Sequence, residues 1–233
     1  MEQMKGSDVI IGYEGKVVAK DINFIVNKGD YLCIIGENGA GKSTLVKSIL
    51  GLCKTMAGEI TISREIKDDG IGYLPQQTDI QRDFPASVKE VVMSGCLNRC
   101  KKKFFFTKKE KDIVAYQLER LGITHLANKS YRALSGGQQQ RTLLARALCA
   151  SDKILILDEP VASLDPKATE DFYRLIDQLN KKDKMMIVMI SHDKEAVLNY
   201  ASHILYLSEQ GSFYGTKEEY VSNNQGLSWQ GGL

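Results

Sequence analysis

Residues 36–43 read Gly36, Glu37, Asn38, Gly39, Ala40, Gly41, Lys42 and Ser43, and Thr44 comes next. This order fits GxxxxGK[ST], a loop whose backbone amides surround the phosphates of a nucleotide. An apolar run at 31–35 precedes the loop, and apolar residues at helical spacing follow it. The segment therefore predicts a strand, a phosphate-binding loop and a helix whose N-terminal dipole favours anions. A plain glycine-rich turn is the alternative, and the flanking strand and helix count against it.

Two side chains of this loop are expected to take part in nucleotide binding. Lys42 would reach the β- and γ-phosphates, and the Ser43 hydroxyl would bind Mg²⁺. The loop therefore predicts a bound nucleotide with Mg²⁺ as its cation.

Two other apolar runs also end in polar residues. Residues 154–157 lead into Asp158 and Glu159, and residues 185–190 lead towards His192. Continuous apolar runs are typical of parallel strands covered by helices on both faces, and ligands gather at the carboxyl ends of such strands. We therefore expect the three strand ends to lie on one rim, where Asp158 would hold Mg²⁺ and Glu159 would activate water. An isolated Asp-Glu pair is more often a solvated loop.

The remaining segments predict smaller elements. Residues 8–30 and 58–74 are rich in β-branched residues and turn signals, which indicates a small antiparallel sheet. Residues 86–150 are mainly helical in pattern. A stripe at helical spacing there, ending before Gly122, consists of Ile113, Tyr116, Gln117, Leu118 and Leu121.

The last part of the chain predicts a hairpin over residues 203–214. Thr216 and Glu219 fit a capping box, so a short helix is expected to follow. We expect no regular secondary structure in the tail from Asn223 onward.

Composition places the chain among ordinary globular proteins. Its 233 residues are 43% hydrophobic and 26% charged, and the formal net charge is +2. This balance gives no reason to expect a nucleic acid partner. No apolar run approaches the ~20 residues needed to span a bilayer, and the N-terminus lacks an apolar signal segment. We therefore expect a cytoplasmic location.

The five cysteines are scattered and include no CxxC pair. They are Cys33, Cys53, Cys96, Cys100 and Cys149. This pattern predicts buried reduced thiols rather than disulfides or a zinc site.

Residues 134–138 read Leu134, Ser135, Gly136, Gly137 and Gln138 at the start of a predicted helix. A serine cap followed by glycines would explain a helix start and nothing more. The order of the motifs adds information, because the phosphate loop lies upstream and the acidic strand end lies just downstream. With LSGGQ between them, the sequence resembles the ABC ATPases over residues 13–220.

The resemblance implies roles for further residues. Tyr13 resembles the aromatic residue that stacks on adenine, and a core or hairpin tyrosine is the alternative. Gln76 resembles the glutamine that touches Mg²⁺ or water, and Gln77 competes with it on sequence alone. His192 resembles the histidine that contacts the γ-phosphate and positions Glu159.

A short loop also matches the family. Ser163, Leu164 and Asp165 resemble the loop that crosses between subunits, although Asp165 also stands where a helix cap is expected. His125 and His203 have no such context, and we expect both to be structural.

The resemblance implies a head-to-tail pair of ATPase subunits, expected to be identical. Each ATP would lie between the phosphate loop of one subunit and residues 135–138 of the other, which act in trans. Hydrolysis to ADP and phosphate would release the pair, with Glu159 as general base and with positioning and charge stabilisation supplying catalysis.

The implied partner is a separate membrane-spanning permease, which places this chain on the inner face of the cell membrane. Residues 76–92 lie where family members form a groove for a short permease helix, and residues 84–95 are similar to subunits of zinc and manganese uptake systems. The resemblance therefore implies import of a transition metal with an extracellular metal-binding receptor. The Lys-Phe segment, residues 101–106, either contacts the permease or anionic lipid, or packs its phenylalanines in the core beneath solvated lysines.

Two rival functions agree less well with the sequence than transport does. ABC ATPases of DNA repair place long coiled coils between phosphate loop and signature, and the spacer here is short. A nucleotide-regulated binding module without turnover would not need both Glu159 and His192.

The expected fold is α/β. It would be a P-loop NTPase (RecA-like) core with a mainly parallel sheet, an antiparallel β lobe and an α-helical lobe. We expect one ABC ATPase domain over residues 1–233. Residues 1–80 and 150–233 would form the core with the β lobe, and residues 81–149 would form the helical lobe that carries the signature.

Overall fold

The computed structural model describes residues 2–13, 15–76, 85–100, 105–208 and 211–223. The chain forms two compact units, each of which contains strands and helices. The first unit comprises residues 1–67 and 179–233, and the second comprises residues 68–178. The expected α/β class is confirmed. The finer division into a core with a β lobe and a helical lobe, at the boundaries expected from the sequence, stays a prediction.

The described strands, in chain order, are β1 (Glu2–Tyr13), β2 (Lys16–Asn27), β3 (Tyr31–Gly36), β4 (Ala57–Ile62), β5 (Gly72–Leu74), β6 (Ile154–Asp158), β7 (Met186–Ile190), β8 (His203–Ser208) and β9 (Gly211–Thr216). The described helices are α1 (Lys42–Ile49), α2 (Arg64–Asp69), α3 (Val88–Ser94), α4 (Leu97–Cys100), α5 (Lys108–Arg120), α6 (Gly136–Ala150), α7 (Pro166–Asp183), α8 (Lys194–Tyr200) and α9 (Lys217–Ser222). Short 3₁₀ turns cover Thr124–Leu126 and Tyr131–Ala133.

The first unit contains a three-stranded antiparallel sheet with β1 between β2 and β4. Buried and exposed residues largely alternate along β1 and β2, as expected for a sheet with one buried face. The sheet predicted over residues 8–30 and 58–74 is therefore confirmed only in part. Residues 64–69 form α2, because the Ser63 hydroxyl accepts a hydrogen bond from the Ile66 amide at 3.4 Å and starts a helix. Residues 72–74 form β5, which is a parallel strand.

The same unit contains the run of neighbouring strands β7, β3, β8 and β9. β3 is parallel to both β7 and β8, and every residue of β3 and β7 is buried. β9 pairs antiparallel with β8, so the predicted hairpin is confirmed, although residues 209 and 210 lie outside the described residues. Thr216 and Glu219 form the predicted capping box at the start of α9.

The second unit contains β5 and β6, which are parallel, and most of the predicted helical segment. α6 packs against α3, α5 and β5. Its buried face includes Leu144, Leu148 and Cys149, each 0 to 1% exposed. Among the helices of the described residues, none is long and apolar enough to cross a membrane.

The prediction of which residues of α5 form its buried stripe is partly wrong. The buried residues of α5 are Glu110, Val114, Gln117 and Leu118, whereas Tyr116 is 58% exposed. Tyr116 lies on the other side of the helix, where the Arg120 guanidinium lies 6.0 Å from its ring centroid. The aromatic ring is therefore used at the surface, in a cation–π contact.

Two further expectations are corrected. Cys53 is exposed, while Cys33, Cys96 and Cys149 are buried thiols as predicted. Phe105 is 85% exposed, so it does not pack in the core as one interpretation of the Lys-Phe segment required. Residues 101–104 of that segment, and the tail from residue 224, lie outside the described residues.

Candidate functional site

The phosphate loop connects β3 to α1 in the first unit. The chain leaves β3 at Gly36 with φ 147°, and it has φ 86° at Gly39 and 91° at Gly41. Side chains disfavour such positive φ values, so the path of the loop requires glycine at these positions. α1 begins at Lys42, and Gly41 at its cap has no side chain to occupy the first amides of the helix. Those amides have no acceptor within the helix and are suited to bind phosphate.

Lys42 holds a positive charge inside this loop. Its Nζ donates to the carbonyl oxygens of Gly36 at 2.9 Å and Glu37 at 2.8 Å, and the residue is only 6% exposed. A buried ammonium is costly without such acceptors. The loop therefore positions the lysine charge where a polyphosphate would bind.

Two glycine substitutions should separate a steric clash from backbone strain. A Cβ at Gly36 would lie 2.2 Å from the Leu207 carbonyl oxygen, whereas a Cβ at Gly39 has nothing within 4 Å. Gly36→Ala is expected to lower the free energy of unfolding by about 3 kcal/mol, since a clash adds to the strain. Gly39→Ala, the control, should cost about 1 kcal/mol from strain alone. Urea unfolding followed by circular dichroism measures both, and equal losses would contradict the packing at Gly36.

His192 follows β7 at the same sheet edge as the phosphate loop. Ile34 of β3 pairs with Ile190 of β7 in parallel register, and the Ser191 amide donates to the Ile34 carbonyl at 3.4 Å. The carboxyl ends of β3 and β7 therefore meet. His192 is exposed there, and Asp193 caps α8 by accepting from the Ala196 amide at 3.0 Å.

Tyr13 ends β1 and is 70% exposed, which argues against the core alternative. Ile11 of the same strand lies 3.0 Å from the position that a Cβ of Gly41 would take. The strand that carries Tyr13 therefore packs against the phosphate loop, as a base-stacking residue requires.

The acidic strand end belongs to the second unit. β6 is wholly buried up to Asp158, which is 5% exposed. Glu159 follows with φ 46°, a left-handed conformation that a non-glycine residue adopts rarely and often at functional sites. Gln76 Nε2 donates to Glu159 Oε2 at 3.0 Å. The structure thus brings together Gln76 and Glu159, two residues that the sequence predicted to act together, whereas Gln77 lies outside the described residues.

The oxygen atoms available at these positions fit Mg²⁺. In the second unit, Asp158 supplies a buried carboxylate and Gln76 an amide oxygen, and in the first unit Ser43 supplies a hydroxyl. Each is a ligand type that Mg²⁺ prefers. Burial raises the pKa of Tyr73 to about 12, and the negative charge of Asp158 acts in the same direction. The phenol beside Asp158 therefore stays protonated at neutral pH.

The signature segment begins α6. The Ser135 hydroxyl accepts from the Gln138 amide at 3.4 Å, and the Gln138 side chain accepts from the Ser135 amide at 3.2 Å. Ser135 and Gly136 are both exposed. The simpler interpretation, a helix cap, is thus realised, and the amides of Gly136 and Gly137 in the first turn have no acceptor within the helix.

A cavity of about 620 Å³ joins the signature to the loop predicted to cross between subunits. A Cβ at Gly136 would lie 3.7 Å from Leu164 Cδ2. Asp165 caps α7 by accepting from the Ala168 amide at 3.0 Å, so it serves as a cap and also lines the cavity. The predicted residues in the lining are Ser135, Gly136, Gly137, Gln138, Ser163, Leu164 and Asp165.

Residues 19–162 match the family described as ABC transporter. The chain belongs to this family. It is therefore an ATP-hydrolysing ABC cassette, and the predicted P-loop NTPase fold is confirmed. ATPase subunits of ABC transporters work with a membrane permease.

Two curated relatives of this ABC cassette are ATP-binding proteins of metal transport. The chain is 37% identical over 222 residues to the zinc uptake system ATP-binding protein ZurA of Listeria monocytogenes, covering 92% of this chain and 86% of that protein. It is 37% identical over 214 residues to the manganese transport system ATP-binding protein MntB of Bacillus subtilis, covering 91% and 85%.

Solved structures agree with the fold. A transporter assigned to the metal-chelate type of ABC transporter, in an inward-facing conformation, has a TM-score of 0.87 at 29% identity, covering 97% of this chain and 88% of that chain. The ATP-binding cassette MJ0796, a dimer in a post-hydrolysis state bound to ADP and phosphate, has a TM-score of 0.75 at 26% identity, covering 92% and 98%.

Sequence patterns missed some residues of the cassette's second unit. Gln140 Nε2 donates to the Pro160 carbonyl, directly after Glu159, and Gln140 is 2% exposed. A glutamine within the apolar face of a helix was the signal for this contact. His125, which we expected to be structural, lines the cavity beside the signature together with Arg141 and Lys167.

Proposed function

We propose that this ABC cassette drives the uptake of a transition metal ion, zinc or manganese, through a separate permease. The observation that supports zinc or manganese as the transported ion is the 37% identity to ZurA and MntB over more than nine tenths of the chain. The metal would pass through the permease and would not need to touch this subunit. A different cargo is the alternative.

We propose that the phosphate loop binds ATP through its amides and through Lys42, while Tyr13 stacks on the adenine. Mg²⁺, when bound, would neutralise phosphate charge through oxygen ligands from Ser43, Asp158 and Gln76. Glu159 would accept the proton of the attacking water. This role requires Glu159 to act on the nucleotide that the loop binds.

Gln76 and His192 would position groups around this reaction. Gln76 Nε2 donates to Glu159 Oε2 at 3.0 Å, which would fix the orientation of the carboxylate that accepts the proton of water. His192 would contact the γ-phosphate from the end of β7. Catalysis would then rest on positioning and on charge stabilisation rather than on a covalent intermediate.

We propose that two identical subunits pair head to tail, with Ser135, Gly136, Gly137 and Gln138 acting on the partner's ATP. The signature is a second helix start with accessible amides, in addition to the phosphate loop. The dimer of MJ0796 with ADP and phosphate supports such a pair. Ser163, Leu164 and Asp165 lie beside the signature and would cross to the partner subunit.

Replacing the signature serine should separate its capping role from its role in trans. Ser135→Ala and Ser87→Ala each remove the serine of a capping box, at α6 and α3 respectively. Each should lower the free energy of unfolding by about 1 kcal/mol. Only Ser135→Ala should also lower kcat of ATP hydrolysis, by about tenfold, because only Ser135 is proposed to contact the phosphate of the partner's ATP. Similar ATPase rates in both variants would contradict the trans role.

The helical segment offers a docking surface for the permease. A largely apolar cavity of about 460 Å³ lies there, with Glu90 and Arg146 supplying charges. Its lining consists of Pro75, Ala86, Glu90, Val91, Ser94, Tyr131, Leu143 and Arg146. We propose that a short helix of the permease binds here, which would hold this subunit at the inner face of the cell membrane. We also propose an extracellular metal-binding receptor in the complete system.

Charge reversal at this surface tests the docking. Arg146→Glu should weaken co-purification with the permease by about tenfold, because it places like charges together at the rim. Lys111→Glu is the matched control, since Lys111 is also exposed but lies outside the cavity. ATPase activity of the isolated subunits should be the same in both variants. Equal permease binding by the two variants would refute the assignment.

The cargo is tested in cells that normally carry this gene. Deleting the gene should lower cellular zinc or manganese several-fold during metal limitation, as measured by elemental mass spectrometry. Wild-type protein should restore the metal content, and the Glu159→Gln variant should not. An unchanged content of both metals would reject the cargo, while the ATPase assignment would stand on its own measurements.

A further inference from the structure

Cys96 and Cys149 lie together in the second unit, and neither takes part in the nucleotide chemistry. Cys96 joins α3 to α4, and Cys149 lies in the last turn of α6. Both are unbridged thiols, and both are 0% exposed. The Cys96 thiol donates to the Glu110 carbonyl oxygen at 3.9 Å.

Contacts on both sides of this pair hold the helices close. A Cβ placed at Gly95 would lie 3.0 Å from the Cβ of Cys149. Arg99 Nε donates to the Cys149 carbonyl at 2.8 Å, and Asn98 Nδ2 donates to the Ala150 carbonyl at 3.0 Å. The segment that carries Cys96 is therefore tied to the end of α6, and the two sulfurs are kept within reach of each other.

The two thiols are chemically unequal. The hydrogen bond from Cys149 lowers the pKa of Cys96, and the positive charge of Arg99 acts in the same direction. The same hydrogen bond, together with burial, raises the pKa of Cys149. Because the thiolate is the reactive form of cysteine, these pKa directions favour Cys96 as the nucleophile and Cys149 as the resolving thiol.

We propose that Cys96 and Cys149 are a redox pair that a peroxide converts into an intramolecular disulfide. The Cys96 thiol loses its proton, and the thiolate attacks one oxygen of hydrogen peroxide. The O–O bond breaks, and the leaving hydroxide takes up the proton that Cys96 released and departs as water. This leaves a sulfenic acid on Cys96. The Cys149 sulfur then attacks the Cys96 sulfur, and the S–O bond breaks. The hydroxyl leaves as water with the Cys149 proton, so two sulfurs lose two electrons in total and the peroxide gains them.

The disulfide would join the α3–α4 junction to the helix that begins with the signature. It would close a long loop between residues 96 and 149, which restricts the unfolded chain. We therefore expect oxidation to raise the thermal midpoint of unfolding. A thiol reductant should reverse this shift.

Peptide mapping of the full chain tests the proposal directly. Trypsin cuts after Lys89 and Arg99, so Cys96 lies on peptide 90–99 and is separated from Cys100. Cys149 lies on peptide 147–153. After treatment with hydrogen peroxide, non-reducing mass spectrometry should show these two peptides linked, with a mass two hydrogens below their sum. Absence of this link in oxidised wild type, or a dominant link to Cys33, Cys53 or Cys100, would overturn the proposal.

Matched serine variants distinguish a specific pair from general oxidation. Cys96→Ser and Cys149→Ser should each abolish the peroxide-induced rise in thermal midpoint. Cys53→Ser, which alters the exposed thiol, should retain it. If either buried variant fails to fold, the peptide map of wild type still decides the question. A midpoint shift that persists in folded Cys149→Ser would count against the disulfide.

Discussion

Glu159→Gln is expected to lower the rate of ATP hydrolysis by about 10²- to 10⁴-fold, the range that general acid–base catalysis contributes. Glutamine keeps the size and planarity of the carboxylate but cannot accept a proton from water at neutral pH. Binding through the phosphate loop does not involve residue 159, so ATP affinity should remain near that of wild type. Phosphate release under single-turnover conditions measures the step directly.

The same variant should accumulate as an ATP-bound dimer, because a state that hydrolysis normally ends would persist. Size-exclusion chromatography with Mg-ATP should show a dimer for Glu159→Gln and mainly monomer after ADP replaces ATP. Glu170→Gln is the control, since the Glu170 side chain is 70% exposed and pairs with Arg174 one helix turn away. A Glu159→Gln protein that hydrolyses ATP at the wild-type rate would support the rival function of a nucleotide-regulated binding module.

Local patterns predicted the phosphate loop well because its conformation depends on neighbouring residues. Glycines at 36, 39 and 41 have the positive φ values that the loop requires, and the buried strand before them is an uninterrupted apolar run. The capping boxes at Ser135 and Thr216 also involve residues only three positions apart. Such features depend on residues that are neighbours in the sequence, so a local pattern is enough to predict them.

Features that depend on distant contacts were not predictable in this way. The face of α5 that carries Val114 is buried and Tyr116 is exposed, although both residues are apolar enough for either side. The Gln140 contact with Pro160 and the Cys96–Cys149 pair join positions 20 and 53 residues apart. Spacing along one helix cannot specify which neighbour it will meet, because tertiary packing decides between faces of similar polarity.

The left-handed backbone at Glu159 is another feature that the sequence pattern did not predict. An Asp-Glu pair after an apolar run gives no sign of a positive φ, which β-branched and most other side chains disfavour. Two hydrogen bonds stabilise this conformation. The Ala162 amide donates to the Glu159 carbonyl at 3.4 Å, and the buried side chain of Gln140 donates to the Pro160 carbonyl. The helix that begins with the signature thus supports the residue proposed to activate water.

Lys42→Ala is expected to weaken ATP binding by about 10- to 100-fold, the effect of losing one or two charge-assisted hydrogen bonds to phosphate. The loss of kcat/KM should be larger, about 10³-fold, since the negative charge on the phosphates that Lys42 stabilises is redistributed in the transition state. Isothermal titration with Mg-ATP measures the affinity, and steady-state phosphate release measures the rate.

The control for Lys42 lies on the same helix. Lys47 is also in α1 but is exposed at its C-terminal end, so Lys47→Ala should leave both affinity and rate nearly unchanged. Lys42→Arg keeps the charge but should not restore activity, because a planar guanidinium cannot reproduce the two carbonyl contacts that hold the compact ammonium within the loop. If Lys42→Ala retained wild-type affinity while remaining folded by circular dichroism, polyphosphate would have to bind elsewhere, and the assignment of this loop would fail.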